Sequence, residues 1–126
     1  MQVTVRKQSL KNKSDKMLQK AKEEVADRLI SAIDYLEANV EVDTGAYARS
    51  MHLNRRGDSS GHGESSHRKE RGVDGNAERT AMGDRLYAAL EVIDPLEGAT
   101  FVNNAPHAKY VEIYHAYFDR LKDILR

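Results

Sequence analysis

Residues 14–39 read SDKMLQKAKEEVADRLISAIDYLEAN, and this stretch decides the fold. Apolar side chains recur at Leu18, Ala21, Val25, Leu29, Ala32 with Ile33, and Leu36. Steps of three and four residues put them on one stripe, so the spacing predicts a long amphipathic helix from about Ser14 to Asn39. Ser14 or Asp15 supplies the N-cap oxygen.

The charges on this helix oppose its dipole. Residues 1–22 carry seven Lys or Arg against Asp15 alone, whereas residues 23–53 carry Arg28 and Arg49 against seven acids. Cations at the N-terminal turns, and Glu37 and Glu41 at the far end, each cost about a few tenths of a kcal/mol. Two readings stay open: two solvated charge patches, or head-to-tail packing of the basic start of one helix beside the acidic end of a neighbour.

Beyond the helix, Val42-Asp43-Thr44-Gly45 forms a turn in which Asp43 is expected to cap a short helix by accepting from the Ala46 amide. Met51 to Arg55 alternates weakly and reads as a strand. Residues 54–76 (NRRGDSSGHGESSHRKERGVDGN) hold five Gly, four Ser and almost no large apolar side chain. Burial cannot repay the ordering of such a segment, which predicts a long mobile loop. Ala81, Met82, Leu86, Ala89, Leu90 and Ile93 give a second, shorter helix, ended by Asp94-Pro95. A strand follows at Thr100–Val102, then a turn at Asn103-Asn104. Pro106 opens a final helix on which Tyr110, Tyr114, Tyr117, Phe118, Leu121 and Leu125 share one face.

With 126 residues, 40% hydrophobic and 32% charged, the chain is one polar domain with a modest core. The mean hydropathy is −0.70, and no apolar run approaches the length of a bilayer span. Absence of Cys excludes disulfides, thiolate metal sites and a cysteine nucleophile. No leader is recognisable at the N-terminus, so the chain reads as cytosolic in origin. His62 and His67 lack the i, i+4 helical spacing of a metal pair, so no cofactor is expected. Asp43-Thr44-Gly45-Ala46 matches the tetrad around an aspartic-peptidase carboxylate. That chemistry needs two carboxylates sharing a proton, each at the end of a buried strand, and no bracing strand follows here. Arg55, Arg56, Arg68, Lys69 and Arg71 alternate with acids and lack aromatic neighbours, so sequence-specific nucleic-acid binding is not expected, and weak contact of the basic N-terminus with DNA is the one nucleic-acid expectation.

Two segments taken in order carry a resemblance. Val42, Asp43, Thr44, Gly45, Arg49 and Ser50 match a Pro-Val-Asp-Thr-Gly motif with a downstream Arg and Ser. Asn103, Pro106, Ala108 and Glu112 match Asn-x-x-Pro-Tyr-Ala-x-x-x-Glu, with His107 at the usual Tyr and Ile113 at the usual Gly. Across about residues 15–113 the chain resembles the neck or tail-completion (head–tail connector) proteins of tailed phages. The resemblance implies an α+β fold, with the long helix packed on a small, mostly antiparallel sheet. It also implies a non-catalytic ring of identical subunits, six or twelve, at the head–tail junction of the virion. The expected partners are other neck, portal-adaptor or tail proteins around the DNA channel, with no membrane involved. In that picture Asp43, Thr44, Gly45, Asn103, Asn104 and Pro106 are structural turns. The contact residues are then Arg49, Arg55, Arg56, Arg68, Lys69, Arg71, Tyr110, Glu112, Tyr114, Tyr117 and Phe118. Two other classes stay open: a small cellular adaptor using the Tyr-rich helix, and a dimeric aspartic peptidase using Asp43.

Overall fold

The computed structural model describes residues 1–6, 14–65 and 72–126. The expected contact residues Arg68, Lys69 and Arg71, together with His67 and with Lys7, Lys11 and Lys13 of the basic run, lie outside the described residues.

Asp15–Asn39 forms α1, and Ser14 caps it by accepting from the Met17 amide at 3.3 Å. Only the C-terminal part of the stripe is fully covered. Val25, Leu29, Ala32, Ile33 and Leu36 are buried, whereas Leu18 and Ala21 are half-buried and Met17 is 56% exposed. A four-residue helix, α2, spans Ala46–Arg49, and α3 spans Gly75–Val92 beside α1. At Gly83 an added methyl would strike the Glu37 carboxylate, so the two helices approach closely there. The second helix begins earlier than apolar spacing predicts. Asp74 caps it by accepting from the Asn76 and Ala77 amides at 3.0 and 3.2 Å, and this first stretch is polar. A 3₁₀ turn at Pro95–Glu97 follows, its Leu96 amide held by Asp94 at 3.0 Å.

Three antiparallel strands lie against α1: β1 (Gln2–Val5), β2 (Met51–Arg55) and β3 (Ala99–Asn103), in the order β1-β3-β2. The sequence reading missed β1, a four-residue alternation beside a basic run. Val3 and Leu53 both pair with Phe101, and side chains alternate across a strand, so these three form one row on the core face. Full burial of a Phe such as Phe101 contributes about 1.5–3 kcal/mol. This architecture, a long helix over a small antiparallel sheet with further helices, is the expected α+β class.

The opposite face of the sheet explains why every residue of β3 is buried. Residues 57–64 cross it as a strap. Gly57 N donates to Thr100 Oγ1 at 2.9 Å, and Thr100 shares a 2.7 Å hydrogen bond with Thr4. The Asn54 amide group donates to the Asp58 and Ser60 carbonyls at 3.0 and 2.6 Å, and His52 Nε2 to the His62 carbonyl at 2.9 Å. Asn104 donates to the Ser59 and Gly61 carbonyls at 3.0 and 3.2 Å. Gly61 (φ 143°) lies so close to the His52 ring that a methyl would come within 2.5 Å of it. This half of segment 54–76 is therefore attached to the sheet rather than hanging as the loop its composition suggests. Backbone carbonyls, which an apolar count ignores, hold it.

The C-terminal region is two helices, α4 (Ala108–His115) and α5 (Tyr117–Ile124), not one. Ala116 adopts a left-handed conformation (φ 52°, ψ 39°) and breaks the run. Glu112 reaches across the break to cap α5, its two oxygens accepting from the Phe118 and Asp119 amides at 3.0 Å each. The single aromatic face is consequently split. Tyr117 and Phe118 are buried in this chain's own core, while Tyr110 and Tyr114 face outward at 67% and 82% exposure. Among the described residues no helix is long and apolar enough to cross a membrane.

Candidate functional site

The end of α1 is tied down by a residue from the opposite end of the chain. The Tyr117 hydroxyl donates to the Asn39 carbonyl at 3.0 Å and accepts from the Glu41 amide at 2.9 Å. The chain then turns through Asp43-Thr44-Gly45, with Gly45 at φ 87°, where a side chain would be strained and would crowd the Arg49 guanidinium. The Ala46 amide donates to Thr44 Oγ1 at 3.3 Å, so the hydroxyl supplies the bond expected of Asp43. Asp43 itself is exposed in this bend, not at the end of a buried strand.

The two segments that carry the resemblance meet at Asn103. Its side chain is buried, donating to the Tyr47 carbonyl at 2.9 Å and accepting from the Ala105 amide at 3.0 Å. Nearby, Ser50 Oγ donates to the Ala46 carbonyl and accepts from the Glu64 amide, each at 2.7 Å. Arg49 grips Glu78 of α3 at 3.1 and 2.6 Å and lies 3.6 Å from Glu64 of the strap. Arg49 and Glu112, expected as contact residues, thus act inside the chain. Tyr117 and Phe118 do so too, because the turn at Ala116 rotates α5 inward.

Between the 41–48 turn and α4 lies a cleft of about 290 Å³. Tyr47, His107, Tyr110, Tyr114 and His115 line it, together with the acidic Glu41 and Asp43. His115 stacks on Tyr117 (5.2 Å, 10°) and sits 3.5 Å from the Glu41 carboxylate. The Tyr47 ring packs against Tyr117 and His107 at 5.8 and 6.4 Å. The Tyr47 hydroxyl and His107 Nδ1 are buried without a hydrogen-bond partner. Burial first, then the Glu112 charge, pushes the Tyr47 phenol far above its ordinary range, so it stays a neutral donor. Burial also raises the Tyr117 phenol.

On the outer side of this cleft, α4 presents Tyr110, Ile113 (74% exposed) and Tyr114 as a contiguous apolar patch. A second groove, lined by Met1, Asn103, Asn104, Pro106, Lys109, Tyr110 and Ile113 among others, flanks it. Tyr110 and Tyr114 are therefore placed where a partner can reach them. Arg55 and Arg56 are exposed at the far end of the sheet, in a groove shared with Asp94 and Glu97. Pro106 occupies the turn two residues before α4. Tyr47 and His115 were not placed in a site from sequence, and Glu41 and His107 entered only as a helix-end charge and as a departure from the motif's Tyr. Tyr47 lies inside the first motif as a spacer and His107 at the Tyr position of the second, and only the fold reveals that they face one cleft. Among the described residues no group of His, Asp and Glu has the arrangement of a metal site.

Comparison of the chain with family models, with curated proteins and with solved structures returns no match.

Proposed function

We propose that this chain is a structural protein of a tailed-phage neck, forming a ring of identical subunits that joins head to tail around the DNA channel. The observation that carries the reading is the junction at Asn103. The two motifs on which the resemblance rests are 56 residues apart between Tyr47 and Asn103, yet one buried amide side chain joins them. Their residues are spent on turns, caps and helix docking: Thr44 on Ala46, Arg49 on Glu78, Glu112 on α5. A protein whose motif residues build the frame, leaving an aromatic patch and opposed charges outside, is suited to packing against neighbours. Its partners are copies of itself, in a ring of six or twelve, and other neck, portal-adaptor or tail proteins. Arg55 and Arg56 offer cations for non-specific proximity to DNA.

The exposed Tyr110, Ile113 and Tyr114 patch favours a second reading, a cellular adaptor that binds one partner through α4. Electron microscopy of lysates from cells in which this reading frame is disrupted separates the two. The neck reading predicts filled heads and free tails that fail to join, restored by a copy in trans. Intact particles from the disrupted strain would refute it.

A further inference from the structure

One edge of the sheet pairs with nothing among the described residues, and a basic groove runs along it. β1 stands at the end of the order β1-β3-β2, so β3 occupies only one of its sides. The pairing fixes which groups are left over. Met1 N donates to the Asn103 carbonyl at 3.4 Å and Met1 O accepts from the Asn103 amide at 3.1 Å, an exchange that marks Met1, Val3 and Val5 as the residues bonded to β3. The N–H and C=O groups of Gln2 and Thr4 therefore point away from the sheet, and both residues are exposed. Such a row is a template for a further strand. The groove beside it measures about 540 Å³ and is lined by residues 3–6, by Arg28 of α1, and by Lys122, Leu125 and Arg126 of α5. Among its described lining residues four are cations and none is acidic. Lys122 and Arg126 lie 3.7 and 3.8 Å from Asp119 and Asp123 of their own helix, in exposed pairs that hold them weakly. Among the described residues no carboxylate pairs with Arg6 or with the half-buried Arg28.

We propose that the outer edge of β1 takes an extended, acidic polypeptide segment of a partner protein as a fourth strand of the sheet. Main-chain groups of the segment pair with Gln2 and Thr4, and alternate side chains on its groove side are carboxylates that meet Arg28 and Lys122. Arg6 adds a cation at the end of the strand. The β1 of a second copy fits this edge poorly, because pairing would bring the same cations together. A nucleic acid would answer the charges, but its phosphates only accept hydrogen bonds and leave the Gln2 and Thr4 carbonyls unmatched. A polypeptide strand supplies both donors and acceptors at the right spacing. A neighbouring protein of a phage neck could provide such a segment, and so could any other partner, so the edge is tested without particles and apart from the neck reading.

The probe is a fluorescently labelled peptide, Thr-Glu-Val-Glu-Val-Glu-Thr, titrated with the full chain at low salt and followed by anisotropy. Saturable binding is expected, and NMR should find the Gln2 and Thr4 amides exchanging about tenfold or more slowly in the complex. Neighbouring amides of a strand point to opposite sides. Of two N-methylated peptides, one modified at its Val and one at its Glu residues, a single one is therefore expected to lose binding. Arg6→Glu/Lys122→Glu, at exposed positions, should weaken binding about tenfold or more. Thr4→Pro removes an outward N–H and no bond to β3, and should weaken it as much while circular dichroism shows the fold retained. No saturable binding, equal binding of the two N-methylated peptides, or unchanged exchange at Gln2 and Thr4 overturns the inference. Oligothymidylate that binds more tightly than the peptide and protects neither amide also overturns it, and assigns the groove to nucleic acid.

Discussion

Replacing Asn103 with alanine removes the side chain whose hydrogen bonds join the two motif segments. Its amide group donates to the Tyr47 carbonyl at 2.9 Å, and its oxygen accepts from the Ala105 amide at 3.0 Å. Asn103, Tyr47 and Ala105 are all buried, so both backbone groups lose a partner where water cannot readily replace it. An unsatisfied buried group costs about 1–3 kcal/mol, which places the total for the two at roughly 2–6 kcal/mol. That is a large share of the roughly 5–15 kcal/mol that holds a domain together. At this chain length each kcal/mol moves Tm by about 3–6 °C, so the midpoint should fall on the order of 15 °C. Urea titration followed by far-UV circular dichroism measures the same loss at constant temperature. Lys109→Ala, at an exposed position on α4, serves as control and should stay within about 0.5 kcal/mol. A loss below about 1 kcal/mol for Asn103→Ala would mean that the segments are held together by something else, and the structural role given to the motif would be wrong.

Three further outcomes rest on other contacts of the fold. Glu112→Ala deprives α5 of its cap on the Phe118 and Asp119 amides and should cost about 1–2 kcal/mol in urea unfolding, with no loss expected if the break at Ala116 were absent. Gly63→Ala sets a methyl against the Asn104 backbone carbonyl, so the strap should lift. Limited trypsin cleavage after Arg55 or Arg56 should then run markedly faster than in wild type, and an unchanged rate would count against the strap. Asp58 accepts from both the hydroxyl and the amide of Ser60, which lowers its pKa. A lowered native value means stabilisation present above the ordinary Asp range and lost as pH falls through the native value. An NMR titration should find the Asp58 midpoint below that of a free peptide and rising in Ser60→Ala.

The elements that bury a periodic apolar stripe were legible. α1 is fixed by Val25, Leu29, Ile33 and Leu36, its start by Ser14, and the end of α3 by Asp94-Pro95. What escaped sequence reading has physical causes in particular residues. The first turns of α3 are polar and are held by the Asp74 cap and by Arg49 on Glu78. Ala116 turns left-handed although alanine gives no hint of it, because the Glu112 cap and the burial of Tyr117 and Phe118 outweigh the local cost. That turn also explains why four aromatic side chains at one-stripe spacing end as two outside and two inside. The strap is held by carbonyls, which carry no residue signature. Of the cleft, Asp43, Thr44, Gly45, Tyr110 and Tyr114 were legible as residues of interest. Its unpartnered floor at Tyr47 and His107 arises only when the two segments are brought together.

Immunogold labelling of intact particles with antibody to this chain tests the central claim most directly. The account predicts gold at the head–tail junction of joined particles and none along the tail or over the head. Label absent from purified particles, or confined to capsid or tail tip, would contradict it.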